Sequence, residues 1–190
     1  MSLIPAFEIG IWNAWIFLIF DIVTMPLAMS LINKRRSLRK EKFFPGLSKK
    51  DVLFHRMSKV TPVLCIIYSI FLPIKLGTIW FYIGLFLIVI GVILEIWVIL
   101  TWIRTPNERH LDTGIYRYSR HPMYFSSFIL FIGISIATVS WLFLLLSLIF
   151  ITGGIVFSTR EEELTIGQYG DSYRNYMKKT PKWIGIPKKR

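Results

Sequence analysis

Four stretches of this chain are too long and too apolar to be the core helices of a soluble domain. They lie at 9–32, 78–102 and 122–159, with a shorter run at 60–74. A bilayer core takes about 20 mostly apolar residues per helix, so each is read as one or more membrane spans. The stretch at 122–159 holds enough residues for two spans, with Thr138, Val139 and Ser140 as the hairpin tip between them. The expected fold is therefore all-α: a polytopic membrane protein of about five transmembrane helices. Asp21 and Pro26 interrupt the first apolar run and no basic segment precedes it, so it is expected to remain a span rather than act as a cleaved leader. Pro26 removes a backbone donor and is expected to kink that helix.

Charge gives the five spans a direction. The net charge is +12, and of 23 Lys and Arg residues ten lie at 33–59, four at 103–121 and eight after 159. Lys34, Arg35, Arg36 and Arg39 lead the first group, which holds only Glu41 and Asp51 as acids. With five spans all three groups fall on one side and Lys75 alone on the other, which predicts an outside N-terminus and a cytoplasmic C-terminus. Basic loops between apolar runs suit anionic headgroups, and no nucleic-acid reader motif accompanies them.

The remaining chemistry is sparse. Cys65 is the single cysteine, which excludes an internal disulfide, and His55, His110 and His121 lack metal-ligand spacing, so no metal is expected. No Gly-x-Gly-x-x-Gly, phosphate loop or serine nucleophile elbow occurs. Asp21 and Glu95 fall within spans, where a carboxyl group is a functional candidate or one half of a structural pair.

Two polar elements flank the last two spans. In the first, Thr113-Gly114 supplies a turn and Pro122 suits the first turn of a helix, which holds Arg120, His121 and Tyr124 at a helix mouth. Arg and Tyr there also serve as headgroup anchors. The second is Glu161-Glu162-Glu163, directly after the fifth span. Because spans four and five fold back on each other, the two elements are expected to meet in one mixed-charge pocket. Farther on, Gly170 reads as a helix stop and Asp171 as the cap of a short helix presenting Tyr173, Tyr176 and Met177.

The residues Gly114-Ile115-Tyr116, Arg120-His121-Pro122-x-Tyr124, Glu161-Glu162-x-Leu164, Gly170, Tyr173 and Tyr176, in this order and spacing, resemble the isoprenylcysteine carboxyl methyltransferase family. The phospholipid methyltransferases are its close relatives. The resemblance runs from span three to Pro181. It implies an integral membrane methyltransferase that uses S-adenosyl-L-methionine without a Rossmann domain, in a cytoplasmic C-terminal helical site. It implies cofactor contacts at Leu111, Gly114, Tyr116, Arg120, His121, Pro122, Tyr124 and Glu161, with Glu162 next in rank for the carboxylate. The implied acceptor is a lipid or lipophilic small molecule, a carboxyl group among the options. Residues 1–102 would then be transmembrane helices with a basic loop, and 103–190 the methyltransferase core.

There are departures. Glu108-Arg109-His110-Leu111 stands where the family shows His-x-Leu-Val, and only Leu111 fits. Phe157 stands one turn before the glutamate, where carboxyl methyltransferases carry an arginine; Arg160 is the nearest basic group. Arg160 and Glu162 are the candidates for the catalytic role. Other readings are a sterol-type reductase using NADPH, against which the glutamates count, and a small scaffold or channel subunit.

Overall fold

The computed structural model describes residues 8–38, 48–105 and 110–187. They form six α-helices: α1 (Trp15–Leu38), α2 (Lys49–Ser69), α3 (Ile79–Arg104), α4 (Pro122–Thr138), α5 (Trp141–Tyr169) and α6 (Asp171–Lys179), with a 3-10 turn at Gly114–Arg117. Arg39, Glu41, Glu108 and Arg109 lie outside the described residues.

Local chemistry sets most of the boundaries. Ser48 and Asp51 form a reciprocal capping box at the start of α2: Asp51 N donates to Ser48 Oγ at 3.2 Å and Ser48 N to Asp51 Oδ2 at 2.9 Å. In its described residues the segment expected as a loop at 33–59 is therefore largely helical: α1 runs on to Leu38, and the apolar run at 60–74 begins inside an existing helix. Thr78 caps α3 and Ser140 caps α5, each accepting a backbone N–H at 3.2 Å. The hairpin tip falls where the sequence places it, with Val139 taking the left-handed conformation (φ 53°) between α4 and α5. Gly170, at φ 57°, ends α5 as expected. One cap is corrected: Gly170, not Asp171, precedes α6, and no side chain caps it. Asp171 is its first helical residue, and its carboxylate pairs with Arg174 at 3.0 Å because an acid there faces the positive helix end.

Small residues bring the helices together. A Cβ on Gly84 would lie 2.4 Å from the Ala137 backbone nitrogen, and one on Gly91 2.9 Å from Leu130 Cβ, so α3 and α4 cross almost backbone to backbone. On α5, Gly153 faces Met57 and Ser58 of α2, while Gly154 faces Tyr124 and Phe128 of α4. Thus α5 sits between α2 and α4. The N-terminal segment is pinned to the α2–α3 connection by Ala14 N donating to Leu72 O (2.8 Å) and Ile74 N to Trp12 O (3.1 Å). Leu18, Cys65, Ile88, Leu130, Ile134 and Phe143 fill the centre.

Apolar side chains also face outward, among them Phe86, Val89 and Ile93 of α3 and Leu145 and Leu148 of α5. Two helices, α3 and α5, are long and apolar enough to cross a membrane; α4 is apolar but only 17 residues long. At 1.5 Å per residue the 29 residues of α5 run about 44 Å and exceed a hydrocarbon core of about 30 Å by two to three turns. Glu161, Glu162 and Glu163 ride on those extra turns, in the same helix as the span rather than beyond it.

Candidate active site at the mouth of α4 and α5

The turn before α4 is shaped by contacts that leave little freedom. Gly114 has φ 55°, and a Cβ there would stand 2.4 Å from Thr101 Oγ1 on α3, so the turn packs against α3 only because no side chain intervenes. Ile115 and Tyr116 bury against Val98, with Leu111, Trp102 and Met123 beside them. The Tyr116 hydroxyl accepts from Trp102 Nε1 at 2.6 Å, and its carbonyl accepts from the Tyr176 hydroxyl at 2.6 Å. Burial holds the Tyr173 and Tyr176 phenols above their ordinary range, with the Glu162 carboxylate adding to the effect at Tyr173. Both are thus neutral, and Tyr176 acts as a donor that ties α6 to the turn.

The chain then delivers Arg120 and His121 to the N-terminal end of α4. Ser119 Oγ accepts from His121 N (3.1 Å), and Pro122 is fully buried at the first helical position, where its missing N–H has no intrahelical use. His121, 6% exposed, donates from Nε2 to Glu162 Oε1 at 2.9 Å. Arg120 Nε stands 3.1 Å from the same oxygen. The angle there is poor for a hydrogen bond, so this is an ion pair that leaves the N–H without an aligned acceptor. Burial alone would raise the Glu162 carboxyl, but the His121 hydrogen bond and the charges of His121, Arg120 and Lys182 outweigh it and hold it below the ordinary glutamate range. It is a buried carboxylate.

The sequence ranks Glu161 ahead of Glu162, whereas the geometry centres on Glu162. The Glu161 side chain is 40% exposed, and its Oε2 reaches only to 3.9 Å from His121 Nδ1. Both acids approach one imidazole from successive positions of α5. Tyr124 lies alongside, its ring centroid 5.9 Å from that of His121. Leu111, Gly114, Tyr116 and Pro122 shape the turn from behind. Arg160 is not brought to this cluster: its Nη1 pairs with Glu163 at 2.6 Å and its Nε lies 4.0 Å from Asp51, tying α5 to the start of α2.

A strap after α6, which no motif in the sequence marks, closes the cluster. Arg120 N donates to Pro181 O (3.0 Å) and Gly185 N to Tyr118 O (3.0 Å), so residues 181–185 run against the turn like a short extra strand. Lys182 Nζ donates to Thr159 Oγ1 at 2.7 Å and lies 3.9 Å from Glu162 Oε2. The Trp183 ring stands 5.9 Å from His121 and 5.8 Å from Phe128. Its available signal was weaker than a motif: a Pro-x-Trp after a tyrosine-faced helix. His110 is the other residue passed over: its ring packs among Tyr169, Tyr173 and Tyr176 at 5.4–5.8 Å.

The cluster thus places two cations (Arg120, Lys182) and two carboxylates (Glu161, Glu162) around an imidazole, with Tyr124, Phe128 and Trp183 as aromatic walls. Such a set is chemically suited to a molecule bearing both signs of charge and an apolar body. No curated protein matches this chain. Residues 79–172 match the model of the phospholipid methyltransferase family, from the first turn of α3 to the first turn of α6, so the match includes the turn, the helical hairpin and the glutamates. Through that segment the chain belongs to the phospholipid methyltransferase family, a family of membrane enzymes.

Proposed function

We propose that this protein transfers a methyl group from S-adenosylmethionine to a lipid or lipophilic acceptor. The observation that carries the reading is the buried Glu162 carboxylate, held by His121 and Arg120 between the two ends of the α4–α5 hairpin. The donor set fits the cofactor. Arg120 and Lys182 offer charge to its carboxylate, Glu161 and Glu162 to its ammonium, and Tyr124 and Trp183 offer ring faces that attract a cationic sulfonium. When bound, the cofactor supplies an electrophilic methyl group. The protein's own share is alignment and the exclusion of water. His121 keeps Glu162 fixed through its Nε2–H, Trp183 shields that pair from bulk water, and Gly154 lets the Tyr124 and Phe128 rings pack directly on α5.

Helices α1 to α5 are read as five spans, with the site on the cytoplasmic face and the N-terminus outside; the positive-inside distribution supports this. Residues 1–102 supply scaffold and 103–190 the charged groups of the mouth. A soluble cofactor then enters under the strap, and an apolar acceptor enters sideways between helices. A dinucleotide such as NADPH is disfavoured because two carboxylates face the ligand.

Calorimetry on the purified protein in nanodiscs tests the reading. S-adenosylmethionine is expected to bind, Glu162→Gln to weaken it, and NADPH to give no heat. Absence of cofactor binding by folded wild-type protein overturns it.

A further inference from the structure

The strap that closes the mouth has a second face, and the charged cluster does not use it. Its inner face is accounted for: Trp183 stands against His121 and Phe128, and Lys182 reaches Thr159. Backbone bonds hold it there, Pro181 O accepting from Arg120 N and Gly185 N donating to Tyr118 O, each at 3.0 Å. On either side of Gly185, Ile184 is 60% exposed and Ile186 91% exposed.

One exposed isoleucine on a surface carries no information, but these two have particular neighbours. They flank the residue bonded to Tyr118, which is itself exposed, and the Tyr118 ring stands 6.0 Å from that of the exposed Trp97 on α3. Trp97 lies in the outward stripe of that span, between Ile93 and Leu100. The outer face of the strap therefore continues, through two aromatic rings, the surface that α3 turns to the hydrocarbon. Trp and Tyr at such a junction are what a membrane–water interface favours. Charge points the same way. Residues 172–190 contain seven Lys and Arg and no Asp or Glu. Lys178 and Lys179, which end α6 just before the strap, are exposed, and so is Arg117 beside Tyr118. Apolar side chains flanked by cations at the edge of a span match a leaflet that offers hydrocarbon just beneath anionic headgroups.

We propose that the outer face of the strap docks on anionic lipid of the leaflet at the mouth, so that the strap is held between the bilayer and the site it covers. Ile184 and Ile186 enter the boundary between headgroups and acyl chains. Lys178, Lys179 and Arg117 meet the phosphate-bearing headgroups around them. An acidic protein surface would satisfy the cations, but the continuity with Trp97 and the α3 stripe puts the two isoleucines at lipid. The docking needs no bound cofactor, so it goes beyond the methyltransferase reading and is tested apart from it.

The test uses the full chain with Ile186→Cys carrying a nitrobenzoxadiazole label, in nanodiscs of phosphatidylcholine alone or with phosphatidylglycerol. Cys65 is buried, and the unsubstituted protein is the labelling control. In anionic discs, lipid bearing a doxyl group near the headgroup is expected to quench the label. Neutral acrylamide is expected to quench it at least about threefold less there than in phosphatidylcholine discs, and raised salt to remove the difference. Lys178→Gln combined with Lys179→Gln is expected to move acrylamide quenching back toward the phosphatidylcholine level. Equal acrylamide quenching in both discs without doxyl quenching overturns the docking. Doxyl quenching of equal size in both discs, unmoved by salt, overturns the anionic partner. Shielding from acrylamide without doxyl quenching gives the face to a protein surface and overturns the proposal as well. None of these results bears on S-adenosylmethionine binding by wild type, whose absence overturns the methyltransferase reading instead.

Discussion

Replacing Glu162 by glutamine changes one charge and almost no volume, so its effect can be worked from the contacts. Oε1 takes a hydrogen bond from His121 at 2.9 Å and faces Arg120 at 3.1 Å, while Oε2 lies 3.9 Å from Lys182. An amide oxygen still accepts from His121, but as a neutral acceptor. The difference between a charged and a neutral hydrogen bond is about 1 kcal/mol, and the Arg120 ion pair is lost at a side chain only 12% exposed, adding about 1–2 kcal/mol. Those losses fall on the site's own cohesion; a ligand ammonium that pairs with this carboxylate finds a neutral acceptor in place of a charged one and loses about 1–2 kcal/mol, or roughly 5- to 30-fold in affinity. Glu161→Gln alters a side chain that is 40% exposed and is expected to change affinity less than about tenfold. Titration calorimetry with S-adenosylmethionine, run beside circular dichroism to confirm helicity, reads both numbers. If Glu162→Gln binds within about threefold of wild type while Glu161→Gln fails to bind, the carboxylate at the centre of the geometry is the wrong one.

Gly114→Ala places a Cβ at positive φ and 2.4 Å from Thr101 Oγ1, which is expected to destabilise the fold by about 2–4 kcal/mol in a denaturant or thermal-shift series and to weaken cofactor binding with it. An unchanged midpoint would mean that the turn does not pack on α3 as described. Arg160→Ala removes partly exposed pairs to Glu163 and Asp51 and is expected to leave cofactor affinity within about threefold, at a cost below about 1 kcal/mol. Loss of methyl transfer in a folded Arg160→Ala would restore the catalytic role that the sequence pattern offers it. The Glu162 carboxyl is held below its ordinary value, so its contribution to stability is complete above the unfolded-glutamate range and fades as pH falls through the lower, folded value. Thermal-shift curves from pH 7 to pH 3 are expected to show an acid-side loss in wild type that is smaller in Glu162→Gln; equal losses refute the linkage.

The hairpin was legible because its signals are local. Thr138, Val139 and Ser140 break an apolar run, Pro122 marks a helix start, and Gly170 marks a stop; each works through backbone geometry that one or two residues determine. The meeting of the two polar elements followed from the hairpin alone. Hydropathy cannot see where a helix begins once it leaves the membrane, so α2 starts at Lys49 on a Ser48–Asp51 box rather than with the apolar residues. Nor does an apolar run say how far the helix continues, and the acids after the fifth span proved to be its final turns. The order of Glu161 and Glu162 depends on which of two adjacent residues, 100° apart on a helix, faces His121, and that follows from how Gly153 and Gly154 seat α5 between its neighbours. The strap has no periodicity at all. Lys182 and Trp183 reach the site only because Pro181 and Gly185 exchange backbone hydrogen bonds with a turn about 60 residues earlier.

The mouth and the buried Asp21–Glu95 carboxyl pair between α1 and α3 differ in how fully they are satisfied. At the mouth, Glu162 has a hydrogen bond, an ion pair and a third cation within 3.9 Å, so its charge is compensated before any ligand arrives. Such a carboxylate is a fixed element of the site, preorganised as an electrostatic receptor should be. In the Asp21–Glu95 pair the Ser127 hydroxyl donates to Glu95 Oε1, while Asp21 Oδ2 and Glu95 Oε2 have no donor. A pair so poorly met is not preorganised in the way the mouth is, which sets the two groups apart. Both groups hang on the first two turns of α4, through His121 and Ser127, and α4 is in turn locked to α3 by Gly84, Gly91 and Gly133. A bulky residue at Gly84 is therefore expected to disturb the mouth and the carboxyl pair together, through α4.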